Sequence, residues 1–164
     1  MDPIETQPGR DRAVSITITH VLTIGITTIL IAMLLTSAGT MLETEKDRSA
    51  DSSLETIGER LADEIGNVDQ IGNQANDKVT VRTDHPRTVA NSRYTVELLN
   101  DAECKKAPLI DENTDCVRLT AQDVDATVHV PIKTTATINE SSTAGGTIEI
   151  VSESGEIHIE DGSQ

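Results

Sequence analysis

A chain of 164 residues and 17.6 kDa has room for one domain with an appended helix, and not for a large multidomain enzyme. Its 28 acidic residues against 13 basic ones leave a formal charge of −15, which argues against a basic face for nucleic acid or anionic lipid. Trp and Phe are absent and Tyr94 is the single aromatic residue, so base-stacking platforms and aromatic cages are excluded and any core is small and aliphatic.

The short N-terminal tail contains Arg10 and Arg12. From Ala13 to Leu42 the chain then carries no Asp, Glu, Lys or Arg for 30 residues, where about 20 apolar residues suffice to span a bilayer core. The densest part, Val21 to Leu35, mixes Leu, Ile and Met with threonines, whose hydroxyls can bond back to the preceding helical turn. The pattern predicts a transmembrane helix over 14–42. Arg10 and Arg12, in a short tail beside the membrane, place the N-terminus in the cytoplasm and residues 43–164 outside. That outer part holds 25 acidic and 11 basic residues. Ser37-Ala38-Gly39 imitates the cleavage site of a secretory signal, but the apolar run before it is too long for one, so the segment is expected to stay attached.

Beyond Leu42 apolar residues fall at Leu54, Ile57, Leu61, Ile65, Val68 and Ile71. These spacings of three and four make one stripe of an amphipathic helix over 43–72. Glu55, Glu59, Arg60, Asp63, Glu64 and Asp69 lie mostly off the stripe, on a face expected to be solvated rather than stitched by ion pairs. Gly58, Gly66 and Gly72 weaken this stalk, and the last is placed to end it.

After Gly72 the period changes to two: Val79 and Val81; Tyr94, Val96 and Leu98; Val117, Leu119 and Ala121; Val128, Val130 and Ile132. Shorter segments contain Ile138, Ile148 and Ile150, then Ile157 and Ile159, with Gly145-Gly146 and Ser154-Gly155 as turns. The last two segments read as a hairpin exposing Glu149, His158 and Glu160. The predicted fold is α+β: a long N-terminal helix, transmembrane then amphipathic, followed over 73–164 by an extracellular head. Six or seven short strands are expected there, in a small antiparallel sheet or sandwich.

Cys104 and Cys116 flank a loop-like stretch containing Pro108 and Asp111-Glu112-Asn113-Thr114-Asp115. An outside location makes a disulfide the leading reading, worth about 3 kcal/mol for a loop of this length. Two free thiols are the other reading, and zinc lacks a clustered third or fourth ligand. Asp111, Asn113 and Asp115 alternate like the opening of a calcium loop. However, Cys116 stands where such a loop needs its turning Gly, and Gln122 where it needs Glu. No metal or cofactor is expected.

The four histidines share no ligand spacing: His20 lies in the apolar span, His85 precedes Pro86, and His129 and His158 fall on polar strand faces. A phosphate loop, a nucleophile elbow and a paired-histidine metal motif are all missing from the sequence, so no enzyme is expected. Asn139-Glu140-Ser141 is an N-glycosylation sequon, which makes Asn139 a candidate modification site.

Asp11-Arg12-Ala13-Val14-Ser15, followed by a long aliphatic helix, resembles the N-terminus of haloarchaeal type IV pilins. The low lysine content beside abundant Asp, Glu and Thr likewise resembles proteins of salt-loving archaea. Ala13-Val14-Ser15 with Thr19-His20-Val21-Leu22-Thr23 and Gly25-Ile26-Thr27-Thr28 is similar to a family of uncharacterised haloarchaeal pilin-like membrane proteins. The resemblance implies leader removal by a prepilin peptidase between Ala13 and Val14. Extraction from the bilayer would follow, into a filament where the N-terminal helix packs against other pilin subunits. The chain departs from the wider pattern at Ile18, where bacterial-type pilins carry Glu, and at Ile16, where the common haloarchaeal residue is Pro. The expected function is that of a minor or accessory pilin-like subunit of an archaeal surface filament or its assembly system. The alternative is a permanently membrane-anchored extracellular binding or envelope protein.

Overall fold

A computed structural model describes residues 9–74, 77–105, 107, 110–111 and 113–163, with side chains from residue 17 onward. Its backbone divides into two compact units, residues 1–44 and 45–164. Helix α1, Gly9–Gly72, contributes to both.

In the first unit the helix is built from aliphatic residues and threonine, and every described residue is exposed. Threonine is a poor residue for helix interiors because its hydroxyl competes for backbone partners. Here that competition is resolved inside the helix. Thr23 Oγ1 donates to the Thr19 carbonyl at 2.8 Å, Thr27 to Thr23 at 2.7 Å, Thr28 to Ile24 at 2.8 Å and Thr36 to Ala32 at 2.9 Å.

The second unit is organised by the apolar stripe of α1. Ala50, Leu54, Ile57, Leu61, Ile65 and Val68 are all buried, and each large aliphatic side chain fully removed from water contributes about 1.5–3 kcal/mol before entropy is subtracted. Ile71, which continues the spacing, is instead 51% exposed, because the helix ends one residue later and leaves nothing to cover it. Arg60 and Glu64 pair at 3.1 Å, so the outer face is less purely solvated than its run of like charges implied.

Nine strands follow among the described residues, where six or seven were expected. The first sheet has the order β1-β8-β9-β6, with β1 Val79–Asp84, β6 Thr137–Ile138, β8 Thr147–Glu153 and β9 Glu156–Asp161. The second runs β2-β3-β4-β5, and β7 joins β3; here β2 is Thr88–Val89, β3 Ser92–Leu99, β4 Cys116–Ala121, β5 Thr127–Pro131 and β7 Ser141–Ala144. Strands β2 and β7 escape a search for alternating apolar residues, one being two residues long and the other Ser-Ser-Thr-Ala. Pairing is antiparallel except between β6 and β9, which run parallel with Ile138 opposite Ile157. The α+β fold with an antiparallel β head is as the sequence predicts, with this one parallel pair at the edge of the first sheet.

The alternation in the strands has the predicted consequence. Val96, Leu98, Val117, Leu119, Ile148, Ile150, Ile157 and Ile159 point inward and form one cluster with the α1 stripe. Ser141 Oγ on β7 accepts from the Ile159 amide of β9 at 2.9 Å, so β7 ties the two sheets together. Two-residue turns close two hairpins, Ala90-Asn91 between β2 and β3 and Ser154-Gly155 between β8 and β9. All four residues have positive φ, the geometry that matches strand twist. A short helix α2, Asp101–Cys104, follows β3 and is capped by the Asn100 side chain.

Candidate functional site

The functional features predicted from sequence fall at three separate places. Ala13 and Val14, the candidate processing site, lie in the backbone of α1, but their side chains are outside the described residues. From Thr17 onward α1 is long and apolar enough to cross a membrane, and its most apolar stretch has no residue buried. Side-chain exposure runs from 51% at Ile26 to 70% at Leu34. A helix that displays aliphatic residues on all sides is suited to lipid or to other apolar chains around it, which is consistent with membrane association. Because the threonine hydroxyls are already bonded to helix carbonyls, few polar donors remain to oppose that environment.

The second place is the cysteine loop. Cys104 and Cys116 are joined as a disulfide whose Cα atoms are 5.9 Å apart. Both are buried and, with Leu99 and the partly covered Ile110, form a small cluster apart from the main core. Asp115 is engaged with backbone. Its Oδ1 accepts from the Asp101 amide at 2.9 Å, and burial pushes its carboxyl above the usual range. No group of three or more potential metal-ligating side chains gathers among the described residues. Glu112 and Pro108 lie outside them.

Asn139 forms the third place. It is exposed between β6 and β7, its amide donating to Glu156 at 3.5 Å, while its backbone N–H is held by the Ile157 carbonyl at 2.9 Å. The position is open to a modifying enzyme while the strand behind it is fixed.

Several polar groups that sequence reasoning left on the solvent side have specific partners in the head. Asp69 is only 4% exposed and accepts from the amides of Thr135 and Ala136, each at 2.9 Å, and from the Thr135 hydroxyl at 3.0 Å. The His85 ring, 1% exposed, stands with Nε2 3.2 Å from Glu64 Oε2, while Thr83 Oγ1 donates to Glu64 Oε1 at 2.9 Å. Burial lowers the His85 pKa below 6.5, and the nearby Arg60 charge acts in the same direction against the opposing pull of Glu64. Glu97, Arg118 and His129 sit side by side across β3, β4 and β5. The Arg118 hydrogen bond at 2.7 Å holds the Glu97 carboxyl below its usual range. The His158 ring lies 3.0 Å from Glu160. Apart from His158 and Glu160, which are two residues apart on β9, these contacts join segments far apart in sequence, and no local spacing announces them.

The sole aromatic ring is structural. Tyr94 is buried and its hydroxyl donates to the Pro86 carbonyl at 2.6 Å; burial pushes that hydroxyl up to about 12, so it stays a neutral donor. Gly145 lies flat on the ring, where an added Cβ would collide with it.

No curated protein and no solved structure matches the chain. A model for a family of unknown function (DUF7266) matches residues 9–160, and the chain belongs to that family.

Proposed function

We propose that this chain is a type IV pilin-like subunit, minor or accessory in kind, of an archaeal cell-surface filament or of the system that assembles one. In this reading residues 1–13 are a cytoplasmic leader, 14–42 cross the membrane, 43–72 form the stalk and 73–164 the head outside the cell. The observation that carries it is the division of one helix into two regimes. The large aliphatic side chains from Ile18 to Leu42 are uncovered, whereas from Ala50 to Val68 the same helix buries its stripe under its own strands. The uncovered half is suited first to lipid and then to the equivalent helices of neighbouring subunits, and Ala32, Ser37, Ala38 and Gly39 permit close approach in either setting. The acidic second unit supports a solvated outer surface, which self-repulsion in dilute salt would keep apart from other acidic heads.

The same uncovered helix would serve a permanently anchored extracellular binding or envelope protein, and processing separates the two. The experiment is the intact mass and N-terminal sequence of protein recovered from membrane and sheared surface fractions, with and without prepilin peptidase activity. A peptidase-dependent start at Val14, with recovery in sheared fibres, supports the pilin-like reading. A mature chain that still carries Arg10 and Arg12 overturns it in favour of the anchored protein.

A further inference from the structure

The geometry points to a second function of the head: we propose that the cavity between β3 and the turn joining β7 to β8 binds a hexuronate, a sugar carrying a single carboxylate. The proposal does not rest on the filament reading, since it concerns the second unit alone.

The cavity has a volume of about 480 Å³, within the range of roughly 300–1,000 Å³ typical of small-molecule sites. Arg87, Thr88, Arg93, Gln122, Thr147 and Asp161 line it, together with Tyr94, Gly145 and Gly146. Two guanidiniums in one cavity are unusual for a chain with 13 basic residues and a charge of −15. Arg48, Arg60, Arg82 and Arg118 each stand within 3.4 Å of a carboxylate. Arg87 and Arg93 are exposed, and neither reaches ion-pair distance of a carboxylate among the described residues, although the Arg87 charge is close enough to Asp161 to help hold that carboxyl ionised. A guanidinium presents a planar fork of donors that a carboxylate fills with two parallel hydrogen bonds.

Asp161 narrows the class of anion. Its carboxylate accepts from the Ser163 amide at 2.8 Å and hydroxyl at 2.5 Å, which stabilises its charged form. It therefore repels a doubly charged phosphate more than a singly charged carboxylate, while retaining acceptor capacity for a ligand hydroxyl. The Gln122 amide and the Thr88 and Thr147 hydroxyls offer further polar contacts. A ligand with one carboxylate and several hydroxyls satisfies this set. A flat apolar ligand does not, because the ring of Tyr94 is already covered by Gly145.

The walls are set before any ligand arrives. Gly145 N–H donates to the Tyr94 carbonyl at 2.9 Å, His85 N–H to the Gly146 carbonyl at 3.0 Å and Gly162 N–H to the Thr147 carbonyl at 3.0 Å. On the facing side Gln122 N–H donates to the Arg93 carbonyl at 2.9 Å. Gly146 has φ +132, and an added Cβ would meet Arg87 Cγ at 3.2 Å, so the turn and the Arg87 stem fit each other closely. Such preorganisation lowers the ordering cost of binding.

The test titrates the full chain in detergent micelles, at one fixed salt concentration, with glucuronate and galacturonate, and in parallel with glucose and inorganic phosphate. Saturable uronate binding, at least about tenfold tighter than glucose, is expected, and Arg87→Lys and Arg93→Lys should each weaken it about tenfold by removing the fork while keeping the charge. Amide resonances of Thr88, Arg93, Gln122 and Thr147 in the unsubstituted protein should shift with uronate, a readout that needs no variant to fold. The proposal is overturned if uronate does not bind saturably, if glucose or phosphate binds as tightly, if folded Arg→Lys variants keep full affinity, or if the resonance shifts lie elsewhere.

Discussion

Asp69, near the end of helix α1, holds Thr135 in the segment between β5 and β6 by three contacts: its carboxylate accepts from the Thr135 amide at 2.9 Å and from the hydroxyl at 3.2 and 3.0 Å. With the Ala136 amide at 2.9 Å, two backbone donors with no ladder of their own are satisfied by one side chain 66 and 67 residues away in sequence. The helix and the strands of the head are thereby fixed by polar geometry as well as by apolar burial.

Asp69→Ala should therefore destabilise the head by about 2–4 kcal/mol, since it leaves buried donors unpaired as well as removing charge-assisted bonds. Asp69→Asn, which keeps one carbonyl acceptor, should cost roughly half as much. Denaturant midpoints of the two variants and the parent, at matched salt, check both the size and the order.

Gly58 and Gly66 make a paired test of how closely α1 approaches the sheet. An added Cβ at Gly58 would meet Val130 Cγ2 at 2.6 Å and Leu119 Cδ1 at 2.9 Å, whereas at Gly66 the nearest atom is the Lys133 carbonyl oxygen at 3.9 Å. Gly66→Ala should stabilise by about 0.5–1 kcal/mol through helix propensity. Gly58→Ala should instead destabilise by about 1–3 kcal/mol through overpacking. Equal shifts of the unfolding midpoint in the two variants would contradict the packing seen at Gly58.

His85 makes stability depend on pH. Because burial holds its folded pKa below 6.5, the unfolded chain takes up the proton first as the pH falls. The contribution is complete above the unfolded value and declines as pH drops through 6.5 toward the lower folded value. His129 is lowered by burial and by the Arg118 charge, and acts in the same sense. The expected result is a melting temperature that falls between pH 7.5 and 5.5, with a shallower fall in His85→Gln. Glu97, held low by Arg118, contributes in the more acidic carboxylate range. An unchanged slope in His85→Gln would remove His85 from this account.

The elements that sequence revealed are those whose signal is periodic and apolar. Leu54, Ile57, Leu61, Ile65 and Val68 could be read as one buried stripe because burial of aliphatic side chains sets the helical period, and Ser154-Gly155 could be read as a turn because positive φ selects such residues. Strand β7 was illegible since only Thr143 of its four residues is buried. Asp69 and His85 were illegible for a different reason. A carboxylate on a helix and a histidine before proline look solvated until a distant segment supplies the partner. Arg87, between β1 and β2, Arg93 on β3 and Asp161 at the end of β9 line one cavity only because the fold brings these segments together, and no linear motif encodes that.

The Cys104–Cys116 bridge closes a loop with a sequence separation of 12. Restricting the unfolded chain over such a loop stabilises by about 3 kcal/mol in the chain-entropy account. Cys104→Ser with Cys116→Ser should lower stability by that amount. Because the bridge sits in its own small cluster with Leu99 and Ile110, amide exchange should accelerate most around α2 and least in β8 and β9. Uniform acceleration across the head would instead mean that the loop unfolds only together with the whole unit.

The uncovered part of α1 yields the last prediction. Leu30 lies near the middle of the run without charged residues and is 54% exposed, so Leu30→Arg should raise the cost of membrane insertion by about 2.5–3.5 kcal/mol. Thr44→Arg, placed beyond the apolar run and beside Glu43 and Glu45, should have almost no effect. Membrane fractions washed with alkaline carbonate provide the readout: the Leu30→Arg chain should be depleted from the pellet, while parent and Thr44→Arg chains should be retained. Equal retention of all three would mean that Leu30 does not face hydrocarbon, and the aliphatic surface from Ile18 to Leu42 would then have to be covered by protein before any bilayer is reached.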